Sequence, residues 1–224
     1  MLNNTLSNLT KLLFTSVAGL SLAACSHSPQ TAQQPSSDCD TVPYSIAAVQ
    51  GNAMQSPLLG EKVSVSGVVT ASWQENNQLG GFFLQDNEAG IFVNYAPKLE
   101  VGARVAVDGM VSEAQQLTQL DNVMKVTVCG TGDIPAAKTL TLPVADVAAF
   151  EALEGQRVHI PQELVVNGTY LLGRHGSFDV AAERLFTPTQ VAAPGAPAQA
   201  LAASYPLQRL VVDDNQAAQP QQVP

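Results

Sequence analysis

The chain has 224 residues, with ten Lys and Arg against nineteen Asp and Glu and a net charge of −9 at pH 7. That sign excludes a protein that grips nucleic acid by wholesale phosphate neutralisation. At 46% hydrophobic but only 5% aromatic, the core must come from Val, Leu, Ala and Ile, with chain enough for one large or two small domains.

Lys11 places a positive charge ahead of an apolar run over residues 12–22, too short to span a bilayer comfortably. Leu22-Ala23-Ala24-Cys25 closes the run and resembles the lipobox of bacterial lipoproteins, in which the Cys is acylated and becomes the new first residue. Residues 1–24 therefore read as a lipoprotein-type signal peptide and Cys25 as the lipidation site. Ordinary secretory cleavage beside Ala24, leaving Cys25 as a thiol, is the alternative. Either reading exports the chain, as an outer-membrane-anchored lipoprotein held through its lipid or as an extracellular protein. Loss of the segment removes Lys11 and no acid, so the acidic balance deepens.

Residues 25–38 are rich in Ser, Gln and Pro and read as a flexible tether. With Cys25 carrying lipid, Cys39 and Cys129 remain in an oxidising compartment and are expected to form one disulfide. A metal or redox role competes, but neither Cys has a Cys or His at ligand spacing. Tyr44 to Gln50 suits a short helix or an extended segment.

From Lys62 the period turns to two. Val63 and Val65 alternate with Ser64 and Ser66, and the run continues to Trp73. Residues 74–80 are a polar turn, and residues 81–85 and 90–95 flank Asp86 to Ala89 as a hairpin. Residues 104–111 alternate again, Gln115 and Gln116 turn the chain, and residues 117–120 and 123–129 close the unit. Five or more short strands with Gly at their bends predict a mainly β fold: a small antiparallel OB-like barrel over 39–133. Residues 134–214 read as a second, incomplete β-rich module, with an amphipathic helix over 144–153, strands over 157–160, 164–166, 178–181 and 210–212, and a turn at Gly173-Arg-His-Gly. Residues 215–224 are a polar tail.

Chemistry-bearing motifs are few. His27 lies in the tether, His159 in a strand and His175 in a turn, and there is no Gly-x-Ser-x-Gly, phosphate loop or His-Glu-x-x-His. Asp86-Asn-Glu88 and Asp213-Asp214 have hard-cation character but read as solvated strand ends, so no metal site and no catalytic residue is assigned. Trp73, Phe82, Phe83, Phe92 and Tyr95 are candidates for a stacking face on the barrel, with core burial as the competing reading. Alternation sets Phe82 and Phe92 opposite to Phe83, which leaves Trp73, Phe83 and Tyr95 as stacking candidates. Arg104, Lys125 and Arg174 are the cations placed to meet a nucleic-acid strand.

Val49-Gln-Gly51, the run from Ser56 to Thr70, Gly80-Gly-Phe-Phe-Leu-Gln-Asp86 and Gly90-Ile-Phe-Val93 resemble the amino-terminal OB-like domain of large bacterial extracellular endonucleases of the ExeM/NucH type. Val126-Thr-Val-Cys-Gly-Thr-Gly132, Phe150-Glu-Ala-Leu-Glu-Gly155, Tyr170-Leu-Leu-Gly-Arg-His-Gly176 and Arg209-Leu-Val-Val-Asp-Asp214 continue the likeness. The resemblance implies extracellular DNA as a partner and a downstream catalytic domain, if the chain is a fragment. That domain would use a divalent metal, Mg or Ca, and its His, Asp, Asn and Glu constellation has no counterpart here. The expected role is therefore non-catalytic substrate binding or positioning. A stand-alone surface lipoprotein with a carbohydrate-binding or structural barrel is the rival.

Overall fold

Alternation along β1 (Lys62–Trp73) sends Val63, Val65 and Val69 to one side, and all three are buried. The computed structural model describes residues 37–216. The segment expected to be a signal peptide, the expected lipidation site Cys25, His27, most of the expected tether and most of the polar tail lie outside the described residues. With β2 (Gly81–Gln85), β3 (Gly90–Val93), β4 (Ala103–Ala114) and β5 (Leu117–Thr131), β1 forms a closed barrel in the order β1-β2-β3-β5-β4. This is an OB-like barrel, filled by Phe82, Leu84, Ile91, Val93, Val105, Val107 and Leu120. One end is plugged by α1 (Ile46–Gln50), whose Ile46 and Val49 are fully buried. Ser45 caps that helix, its Oγ accepting from Ala48 N at 3.1 Å.

Three features of the barrel differ from the sequence reading. The barrel is not wholly antiparallel, because β3 and β5 run parallel, with Phe92 opposite Gln119. The chain leaves β3, forms β4 and returns, so β5 arrives beside β3 in the same direction; alternation carries no information on direction. Residues 117–120 and 123–129 are one strand, and the interruption between them is a bulge at Asn122 (φ 46°) opposite a register shift in β4. Phe92 does not share a face with Phe82. The hairpin register pairs Phe83 with Phe92 and Phe82 with Val93, so Phe82 points inward while Phe83 and Phe92 share the outer face. Parity across a hairpin depends on the turn, which each strand read alone does not reveal. At Gln115 (φ 54°) and Gln116 (φ 68°) the expected turn does form, with the positive φ at both positions that a tight hairpin of this hand requires.

The remainder is a second β-rich module in the same compact unit as the barrel. A short parallel pair, β6 (Lys138–Thr139) and β7 (Val158–His159), brackets α2 (Ala148–Glu151). The helix expected over 144–153 shrinks to four residues because Val144 is a buried extended residue donating to Leu207 O at 2.8 Å. A three-stranded antiparallel sheet of β8 (Val165–Gly168), β9 (Phe178–Ala181) and, at its other edge, β10 (Arg209–Val212) completes the module. Between these strands lie α3 (Leu172–His175), where a turn was expected, α4 (Pro188–Val191) and α5 (Ala196–Ser204). Leu140, Leu142 and Val144 form its small buried core, with Phe150, Ile160 and Leu210 against them.

Candidate ligand-binding cleft

OB barrels bind ligands on the outer face of their central strands. Here that face carries Phe83 and Phe92, their rings edge to face at 5.2 Å. Much of it is covered from the second module. A Cβ built on Gly90 would lie 2.1 Å from Gly155 O, and one built on Gly155 (φ 69°) would lie 2.7 Å from the Gly90 carbonyl carbon. Two glycines thus let two backbones touch where side chains would hold them apart. Gln85, fully buried, accepts from Arg157 N at 3.0 Å and fastens the turn to the barrel.

Between this turn and the barrel lies a cleft of about 300 Å³. Its barrel wall is Thr70, Ala71, Trp73 and Phe83; its other wall is Gly155, Gln156 and Arg157. Trp73 and Phe83 are half-buried and line the cleft. Arg157 is exposed, donates from Nη1 to Pro135 O at 3.1 Å, and forms no ion pair with a described residue. On the same wall Gln156 Oε1 is buried without a hydrogen bond, as is Gln85 Nε2 beneath it. The arrangement offers aromatic surface beside a guanidinium, suited to stacking a flat ring and meeting an anionic or hydroxyl group.

Of the residues expected to contact a ligand, the structure brings Trp73 and Phe83 together and places the other four elsewhere. Tyr95 turns toward the core, its ring edge-on to Phe82 at 6.4 Å. Arg104 pairs with Asp40, and Lys125 with Asp38 at 3.0 Å. Both acids sit on the segment that the Cys39–Cys129 disulfide holds against β4 and β5, so these cations secure the amino-terminal strap. Arg174 is exposed on α3, away from the cleft walls. Arg157 and Gln156 were not anticipated. In Glu154-Gly-Gln-Arg-Val nothing local signals that Gly155 folds back onto Gly90, some sixty-five positions earlier.

The other side of the turn is acidic. Glu154 Oε1 accepts from Gln50 Nε2 at 2.5 Å and from Thr118 N at 2.9 Å. Thr118 Oγ1 donates to Glu113 Oε1 at 2.7 Å. Burial pushes the Glu154 carboxyl above its ordinary 4.5; the hydrogen bonds from Thr118 and Gln50 oppose this, and the charge of Glu113 adds to it. Burial, then Glu154 and Glu113, raises Glu151 as well. A carboxyl raised in the folded state contributes stability that is full below its unfolded pKa and is lost as pH rises through its folded value. The junction is therefore expected to hold best near pH 4 and to loosen above the ordinary carboxylate range. Thermal unfolding across pH 4–8 checks this: Glu154→Gln should flatten the profile, and wild-type and variant profiles that run parallel would contradict it.

Other candidates carry structural duties. Asp86 Oδ1 accepts from the backbone N of Glu88 and Ala89, both at 2.8 Å, and so shapes the hairpin. Among the described residues no group of three or more His, Cys, Asp or Glu side chains is arranged to hold a metal. A larger cleft of about 610 Å³ in the second module includes Phe186, Tyr205 and Arg209. Its polar groups serve each other: Arg209 pairs with Asp179 at 2.7 Å and Tyr205 donates to Phe186 O at 2.7 Å.

No protein-family model matches the chain, and no curated protein matches its sequence. Among solved structures, asparaginyl-tRNA synthetase from Pyrococcus horikoshii aligns at 20% identity with a TM-score of 0.29, over 35% of this chain and 22% of that one. The chain thus spans about a fifth of that synthetase's length. The hypothetical protein ygiW from E. coli aligns at 12% identity with a TM-score of 0.29, over 38% of this chain and 87% of that one.

Proposed function

We propose that this chain is a non-catalytic binding module, the front of an exported DNA-degrading endonuclease, that positions a single strand by stacking it in the Trp73–Phe83 cleft. The carrying observation is the pair of outward aromatic rings beside Arg157, on the face that OB barrels use. The motif series from Val49 to Asp214 supplies the link to extracellular nucleases, and the Leu22–Cys25 motif supplies the membrane anchor. Any divalent metal and all hydrolytic chemistry belong to a separate catalytic domain.

A neutral oligosaccharide in the same cleft is the second reading. It is favoured by the −9 charge and by the pairing of Arg104 and Lys125 with acids, which leave little to attract phosphate. One titration of the full chain with a single-stranded oligonucleotide and with a neutral oligosaccharide, over a salt series, separates the two. The nucleic-acid reading expects Phe83→Ala to weaken oligonucleotide binding roughly 5- to 150-fold, the effect of losing one base–aromatic stack. Arg157→Gln should lower the salt slope by about 0.7, one phosphate contact on a single strand. Binding of the oligosaccharide alone would transfer the cleft to the second reading.

A further inference from the structure

We infer that the cleft receives the end of a strand, one or two rings deep, and does not clasp the interior of a long one. The inference rests on the nucleic-acid reading of this cleft. On an open OB face, successive outward side chains of the central strands form a continuous stacking path. Here the outward positions of β2 and β3 are Gly81, Phe83, Gln85, Gly90 and Phe92. Gly81 and Gly90 are buried, Gln85 is 0% exposed and Phe92 is 5% exposed, so Phe83 alone of the five is not buried. Trp73, at the end of β1, adds the one neighbouring ring.

The path is also closed on its far side. A strand entering over Trp73 meets the Gly155 turn directly after Phe83. The Gly90 and Gly155 backbones leave no room for even one added carbon between them. The turn is fixed by Arg157 N donating to Gln85 Oε1 on one side and by Thr118 N and Gln50 Nε2 donating to Glu154 Oε1 on the other. A ligand passing that wall must break these bonds, whereas a chain that ends there need not. At the closed end stands Arg157, whose guanidinium keeps donors beyond the one on Pro135 O. A terminal phosphate, with more charge than an internal one, suits that position.

The test uses the full chain with linear and covalently circular single-stranded DNA of the same sequence, and a series of linear oligonucleotides from two to twelve residues. The linear form should bind at least tenfold more tightly than the circle, and affinity should stop rising by about three nucleotides, short of the roughly 4–16 that an open OB face occupies. Equal binding of circle and linear strand, or affinity climbing past four nucleotides, overturns the strand-end inference and leaves the nucleic-acid reading standing. No binding of either form overturns that reading, and this one with it.

Discussion

Replacing both Cys39 and Cys129 by Ser is expected to destabilise the chain by about 4–5 kcal/mol, the loop-closure entropy released when a link this long is cut. The bond joins residues 90 positions apart with Cα atoms 6.3 Å from each other. Its native surroundings are modest: Cys39, Ala106 and Cys129 form a small buried cluster with Val42 beside them. Around it Ser66 Oγ donates to Cys39 O at 2.8 Å, and Arg104 and Lys125 reach Asp40 and Asp38. Those ion pairs are exposed or half-exposed, and such pairs contribute about 0–1 kcal/mol each. They cannot hold the strap once the covalent link is gone. Melting of the double variant should fall by roughly 8–20 °C for a domain of this size. A fall under 3 °C would show that the strap holds without the bond.

The second large effect is expected at Gly90→Ala. The added methyl would sit 2.1 Å from Gly155 O, 2.4 Å from Gly155 C and 2.9 Å from Gln156 N, all backbone atoms with no rotamer to change. Gly155 cannot retreat by a small adjustment, since its positive φ shapes the turn. Overpacking of this kind costs about 1–3 kcal/mol when neighbours can shift. Here the easier response is for the turn to lift, because the barrel core does not depend on it. Hydrogen exchange separates these outcomes. The N–H groups of Arg157 and Thr118, which donate across the junction to Gln85 and Glu154, should lose protection. Val107, deep in the barrel, should keep its own. Wild-type protection at Arg157 and Thr118 in the variant would contradict the close approach as a structural requirement.

What the amino-acid sequence reveals here is what local chemistry decides. Alternation of Val and Ser writes β1, and the polar Gln115–Gln116 pair between two strand-like runs marks a hairpin turn. Phe83 could be named as an outward ring from the period of its strand, but Trp73 faces out only because β1 shifts register between Val69 and Ala71; alternation from Val63, Val65 and Val69 alone would turn it inward. Features that depend on distant partners were not legible. The parallel pairing of β3 with β5 needs the whole path of β4, and the face of Phe92 needs the register across the hairpin. Arg104 and Lys125 look like free cations until Asp40 and Asp38, 64 and 87 positions away, are placed beside them. Arg157 looks like the start of an ordinary strand until Gly155 is found against Gly90. The cleft is thus made by two segments that meet only in the fold, and only part of its barrel wall could be read beforehand.

In the proposed function, ligand enters between the Trp73–Phe83 wall and the Gly155 turn. Trp73 is the single Trp of the chain, so its fluorescence reports on that wall alone. The most direct measurement is Trp73 emission during titration of the full chain with a short single-stranded oligonucleotide, set beside an independent binding isotherm. The expected result is a saturable change in emission at the same midpoint as the isotherm, lost in Phe83→Ala. Saturable binding that leaves Trp73 emission unchanged would place the ligand elsewhere and contradict the account.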